Sequence, residues 1–79
     1  MDQQQAPGIV KWFSPTKGYG MITIIPDDGE GDYFVHYSVI QMEGYRILFE
    51  DEPVLFIPLV GKKGRFAENV VPTGREGEG

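Results

Sequence analysis

Cysteine is absent from the 79 residues, so neither a disulfide framework nor a thiolate metal site can supplement a core that is small at this length. Histidine occurs once, at His36. Without cysteine or a second histidine, no transition-metal site is expected, and no cofactor is expected either. No apolar run approaches the roughly 20 residues of a membrane span. The opening Met1-Asp2-Gln3-Gln4-Gln5-Ala6 has neither the basic start nor the apolar stretch of a secretory signal. These absences, together with the lack of cysteine, lead to the expectation of a cytoplasmic chain with no membrane partner. Basic charge is scarce: seven Lys and Arg stand against twelve Asp and Glu, for a net charge of −5. Long-range steering of a polyanion should therefore be weak. Helical periodicity is missing too, since no helix-length stretch carries apolar residues at three- and four-residue spacing.

What is present is a series of short β-branched and aromatic runs separated by Gly, Pro and Asp clusters. Strands are predicted near Gly8 to Phe13, Tyr19 to Ile25, Tyr33 to His36, Val54 to Val60 and Phe66 to Val71. Turns fall at Ser14 to Lys17, Pro26 to Gly31 and Gly61 to Gly64. Five short strands laid flat would leave exposed edges, whereas curling them into a barrel removes most of that hazard and encloses one core. The expected class is all-β, a five-stranded antiparallel OB-fold barrel. Residues 1–6 and 73–79 are polar and are expected as flexible tails around a domain at 7–72. The stretch from Ser38 to Asp51 reads as a long loop with one helical turn, dropping Val39-Ile40 and Ile47-Leu48-Phe49 onto the barrel end.

Two segments carry the functional signal. In Lys17-Gly18-Tyr19-Gly20-Met21-Ile22 and Tyr33-Phe34-Val35-His36-Tyr37, ring or thioether side chains recur at every second position. Alternation along a strand puts Tyr19 and Met21 on one face and Gly20 and Ile22 on the other, and likewise puts Phe34 and His36 together. Antiparallel pairing merges the two sets into one wet aromatic surface opposite an Ile22 and Val35 core. Such a surface suits unpaired bases, each of which has an apolar face that a ring can cover. Trp12 and Phe13 are consecutive, so a regular strand would turn them to opposite faces. Trp12 is read as a stacking ring, and Phe13 stays open between core and face.

Other chemistries find less support. Gly18 and Gly20 lack the continuation of a phosphate-binding loop. The acidic run from Asp27 to Asp32 lacks the spaced ligands of a calcium loop. Ser14, Ser38 and His36 form no recognisable nucleophile and base arrangement, so no enzymatic activity is expected.

Four segments resemble the bacterial cold-shock proteins and the eukaryotic Y-box cold-shock domain. They are Gly8-Ile9-Val10-Lys11-Trp12-Phe13, Lys17 to Ile22, Asp32 to Gln41, and Ala67-Glu68-Asn69-Val70. The resemblance runs from about Gly8 to Val71, and its central pair looks like the family's two ribonucleoprotein motifs. It implies an OB-fold barrel that binds single-stranded RNA and DNA with low sequence specificity and acts as an RNA chaperone in cold shock or gene regulation. It also implies stacking positions at Trp12, Tyr19, Phe34, His36, Tyr37 and Tyr45, with Phe13 and Met21 beside them. Lys11, Lys17 and Lys63 fall near phosphates, and Asp32 falls at the platform edge as an acceptor for a base. Met21 stands where the family commonly has phenylalanine, Ser14 replaces a common asparagine, and Ile24-Ile25 look inserted.

The fourth strand departs most. Val54 to Val60 is apolar on both faces, whereas a small barrel should alternate. Leu55 and Ile57 are expected to point outward beside Leu59, marking a place where a homodimer would form on an otherwise monomeric protein. Two features oppose this: Pro58 blunts an edge, and the Ser38 to Asp51 loop offers an alternative cover. The rival function is a protein-interaction barrel with vestigial nucleic-acid affinity.

Overall fold

The computed structural model describes residues 4–27, 29, 31–42 and 46–74. The elements are β1 (Ala6–Ser14), β2 (Tyr19–Ile24), β3 (Tyr33–His36), a 3-10 turn (Tyr37–Val39), β4 (Pro53–Gly61) and β5 (Gly64–Pro72). They close into a barrel in the order β1-β2-β3-β5-β4. Every neighbouring pair is antiparallel except β3 and β5, which meet in parallel at Phe34 and Phe66. Closure pairs Pro53–Phe56 of β4 on both sides, whereas Ile57–Gly61 pair with β5 alone, so the edge that a solitary Val/Leu/Ile strand would expose is shortened to the second half of β4.

The core follows from alternation. Val10, Ile22, Val35, Val54, Phe56 and Val70 are all but fully buried, and Ile40 and Leu48 reach the same interior from the connection between β3 and β4. Each such side chain contributes about 1.5–3 kcal/mol by leaving water. Tyr33 is also buried, its ring 5.3 Å from that of Phe56. The connection is held by backbone: Gln41 N–H donates to Val70 O at 2.7 Å, Asp51 N–H to Val10 O at 2.7 Å and Val10 N–H to Glu52 O at 3.0 Å. Glu52 is buried and accepts from Phe49 N–H at 3.0 Å, so its carboxylate closes the turn that precedes β4. No helix among the described residues is long and apolar enough to cross a membrane.

Two features differ from the alternation expected of the sequence. In β1, Val10 opposes Ile22 but Trp12 opposes Met21, so Lys11 is an extra residue, a bulge. Lys11 and Trp12 are both exposed as a result, and Phe13 turns toward the core cluster instead of away from it. In β4, the expected exposed pair is not found: Ile57 is 9% exposed, and Leu55 and Leu59 are half-buried. Ile57 and Leu59 line a depression with Ser38, Val39 and Gln41, so the segment after β3 lies beside this part of the strand. The large apolar side chain of β4 that does stand in water is Val60, 70% exposed.

Candidate nucleic-acid interface

Register places the expected side chains as a grid. Trp12, Met21 and Phe34 are successive partners across β1, β2 and β3, and Ser14, Tyr19 and His36 form the next row. Partners in an antiparallel pair share a face, and Ile22 and Val35 on the opposite face are completely buried. Trp12 is 42% exposed, Phe34 41% and Tyr37 48%, large values for rings on a chain with so small a core. Trp12 meets Tyr19 edge to face at 6.2 Å, and Tyr19 meets Phe34 at 5.6 Å with the rings tilted by 37°. His36 stacks on Tyr37 at 4.6 Å. Trp12, Phe34 and Tyr37 thus offer ring surface to a flat ligand, while Tyr19 and His36 are half-buried between them.

Glycines make the rings fit. A Cβ at Gly18, whose φ is +80°, would lie 2.7 Å from the Tyr37 ring, and Gly18 O accepts from Tyr37 N–H at 2.9 Å. A Cβ at Gly20 would collide with the backbone of Trp12 and Phe13, because the bulge brings β1 close against β2 there. His36 is oriented by the 3-10 turn. Its Nδ1 accepts from Ser38 N–H at 3.2 Å and contacts Ser38 Oγ at 2.9 Å, an arrangement that leaves the ring proton on Nε2.

Charge lies along one edge of the grid, in the β1–β2 turn next to it and in the β4–β5 turn. Lys17 is exposed in the β1–β2 turn beside Tyr19, its backbone N–H bonded to Ser14 Oγ at 3.3 Å. Lys63 is exposed in the two-residue turn closed by Gly61 and Gly64. Lys11 is not a free cation: its Nζ donates to Asp32 at 3.0 Å, and Thr23 Oγ1 donates to the other carboxylate oxygen at 2.8 Å. Burial pushes the Asp32 carboxyl up, but the Lys11 and Thr23 hydrogen bonds and the Lys11 charge outweigh it and hold the group below its ordinary value.

The structure thus brings together Lys11, Trp12, Lys17, Tyr19, Met21, Asp32, Phe34, His36 and Tyr37 on or around one face. Phe13 lies behind that face, half-buried against the core, and Tyr45 lies outside the described residues. Phe66, which sequence reasoning assigned to a strand and to no role, is the cross-strand neighbour of Phe34 and half-buried. Its strand position was legible, but the non-local parallel contact that brings it beside Phe34 was not. Among the described residues, no group of three or more His, Asp or Glu side chains converges as a metal site would require.

A closed five-stranded barrel with exposed rings on β1 and β3 and a half-buried ring on β2 between them defines a barrel of the nucleic-acid-binding class. The family itself is shown by comparison: residues 6–73 match the model of the 'Cold-shock' DNA-binding domain, and the chain belongs to that family. It is 52% identical over 64 residues to cold shock protein CspV of Vibrio cholerae, covering 81% of this chain and 89% of that one. Cold shock-like protein CspB of Escherichia coli is 50% identical over 66 residues, with 84% and 90% covered. Among solved structures, Drosophila Unr CSD456 matches with a TM-score of 0.71 over 98% of this chain and 30% of that one. At 12% identity, that likeness speaks for the fold alone.

Proposed function

We propose that this cold-shock domain protein binds unpaired RNA or DNA by stacking bases on Trp12, Tyr19, Phe34, His36 and Tyr37, with Met21 filling the floor between Trp12 and Phe34. Lys17 and Lys63 meet phosphates at the two ends, and Lys11 stiffens the edge by holding Asp32. The observation that carries this reading is the register that sets Trp12, Met21 and Phe34 side by side with exposed ring faces. Membership of the cold-shock family supports it.

By occupying unpaired strands the platform shifts hairpins toward the open form through mass action alone, the action of an RNA chaperone that consumes no nucleotide. We assign this work to the cytoplasm, in keeping with the lack of cysteine. The rival reading, a protein-interaction barrel, drew on an exposed Leu55 and Ile57 pair, and the burial of Ile57 takes that support away.

Titrating the intrinsic fluorescence of Trp12 with hexathymidylate tests the proposal. Quenching that saturates, and that weakens as salt rises, is the expected result. An indole signal unmoved by any oligonucleotide overturns it.

A further inference from the structure

We propose that the bound strand continues past Phe34 onto β5 and β4, where Phe66 and Leu59 hold one more unpaired base and Glu68 selects guanine for that place. The inference rests on the platform reading above and extends it.

The register carries it. Beyond Trp12, Met21 and Phe34, the row goes on without a break: Phe34 partners Phe66 on β5, and Phe66 partners Leu59 on β4. Partners share a face, so one outward apolar band runs from β1 around the barrel to β4. Where the band ends the surface becomes concave. Phe66, Leu59, Ile57 and Val39 are the apolar lining of a depression of about 460 Å³, with Glu68 and Gln41 among its polar groups. That volume lies within the roughly 300–1,000 Å³ of clefts that hold small molecules, and a lining shared about equally between apolar and polar residues suits a heterocycle that lies on a ring and is hydrogen-bonded along its edge. Ser38, another lining residue, is the one bonded to His36 Nδ1, so the wall of the depression is continuous with the platform.

Glu68 supplies the choice of base. It follows Phe66 by two residues on the same face of β5 and is the partner of Ile57, so a base lying on Phe66 presents an edge to its carboxylate. An ionised carboxylate only accepts hydrogen bonds. Guanine offers N1–H and N2–H side by side, which a carboxylate accepts as a pair. Thymine and uracil set their single N3–H between two carbonyl oxygens, which the carboxylate repels.

A second copy of this chain fits the same surface poorly. β4 pairs with β1 over Pro53–Phe56 and with β5 along its length, and on the side that β1 leaves, Pro58 has no N–H to offer a partner strand. Ile57 is buried already, and a stable interface covers about 800 Å² per partner.

The test is fluorescence anisotropy of end-labelled hexathymidylates in which a single guanine is moved through each position. For the wild type, guanine at one position near one end is expected to tighten binding about fivefold, the lower end of what one bidentate hydrogen-bonded pair contributes to discrimination between bases. Glu68→Gln should erase that preference while leaving binding of plain hexathymidylate in place. Phe66→Ala should erase the gain, and Phe66→Tyr, which keeps the ring, should retain it. Equal affinity for guanine at every position overturns the subsite but not the platform, as does a preference unchanged in Glu68→Gln. Loss of all oligonucleotide binding in the wild type overturns both. A mass that doubles with concentration, together with Phe66→Ala abolishing that doubling, assigns the surface to self-association instead.

Discussion

Trp12 stands opposite Met21 although Val10, two residues earlier, stands opposite the residue next to Met21, so β1 advances two positions where β2 advances one. The surplus residue is Lys11. Were Lys11 paired in regular alternation and not bulged, the indole would turn inward like Val10, and the row that Trp12 opens would begin one strand later. The bulge is therefore the local device that converts an ordinary β-hairpin into a binding edge.

Because Trp12 and Phe34 are both about two-fifths exposed, Trp12→Ala and Phe34→Ala should weaken oligonucleotide binding by about 1–3 kcal/mol each. The melting temperature should stay close to that of the wild type. Anisotropy of a labelled oligonucleotide reads the first quantity without depending on the indole, and circular dichroism reads the second. A large fall in melting temperature would place these rings in the core.

The two platform glycines should respond differently to a methyl group. Gly20→Ala drives its Cβ into the backbone of β1, and should cost about 3 kcal/mol, the upper end of overpacking. Gly18→Ala meets the Tyr37 ring and a φ of +80°. It should cost about 1 kcal/mol and, unlike Gly20→Ala, weaken binding even where the protein remains folded, because the ring is pushed aside. Denaturant melts and anisotropy on both variants separate the effects.

Acid should loosen the fold partly through Asp32. Its carboxyl is held below its ordinary value in the folded chain. Its contribution is therefore present above the ordinary carboxylate range and is lost as pH falls through the lower folded value. With Lys11 58% exposed, the pair should contribute no more than about 1 kcal/mol near neutrality. Asp32→Asn should show less loss of stability than the wild type between pH 5 and pH 3, followed by urea denaturation. Parallel acid limbs would mean that the pair contributes nothing.

Salt should weaken binding with a modest slope, since only Lys17 and Lys63 of the expected phosphate contacts stand free of a described ion pair. Lys17→Gln and Lys63→Gln should each lower the magnitude of the log–log slope by about 0.7, the single-strand value per phosphate. Lys11→Gln should lower it less. An equal drop for all three would show that Lys11 leaves Asp32 in the complex.

Much of this was legible in the order of residues, and the exceptions share a cause. The alternation of Tyr19 with Gly20 and of Phe34 with Val35 is local, so the two faces and the Ile22 and Val35 core could be read directly. The bulge at Lys11 depends on how two strands register, and composition does not reveal it, which is why Phe13 could not be assigned to a side. Ile57 looked outward by alternation and does lie opposite Glu68. It is buried at the floor of a depression that it lines with Val39 and Gln41, some eighteen and sixteen positions earlier in the chain. Phe66 escaped notice for a similar reason, since only the parallel meeting of β3 with β5 brings it beside Phe34.

That meeting has one more consequence. β3 and β5 touch through the Phe34 and Phe66 partnership, helped by an isolated bridge between Ile40 and Val70, so the seam where the barrel closes is its thinnest join. A polynucleotide laid across it would act as a hoop around staves, and heat resistance of the protein would climb with the length of the strand it carries.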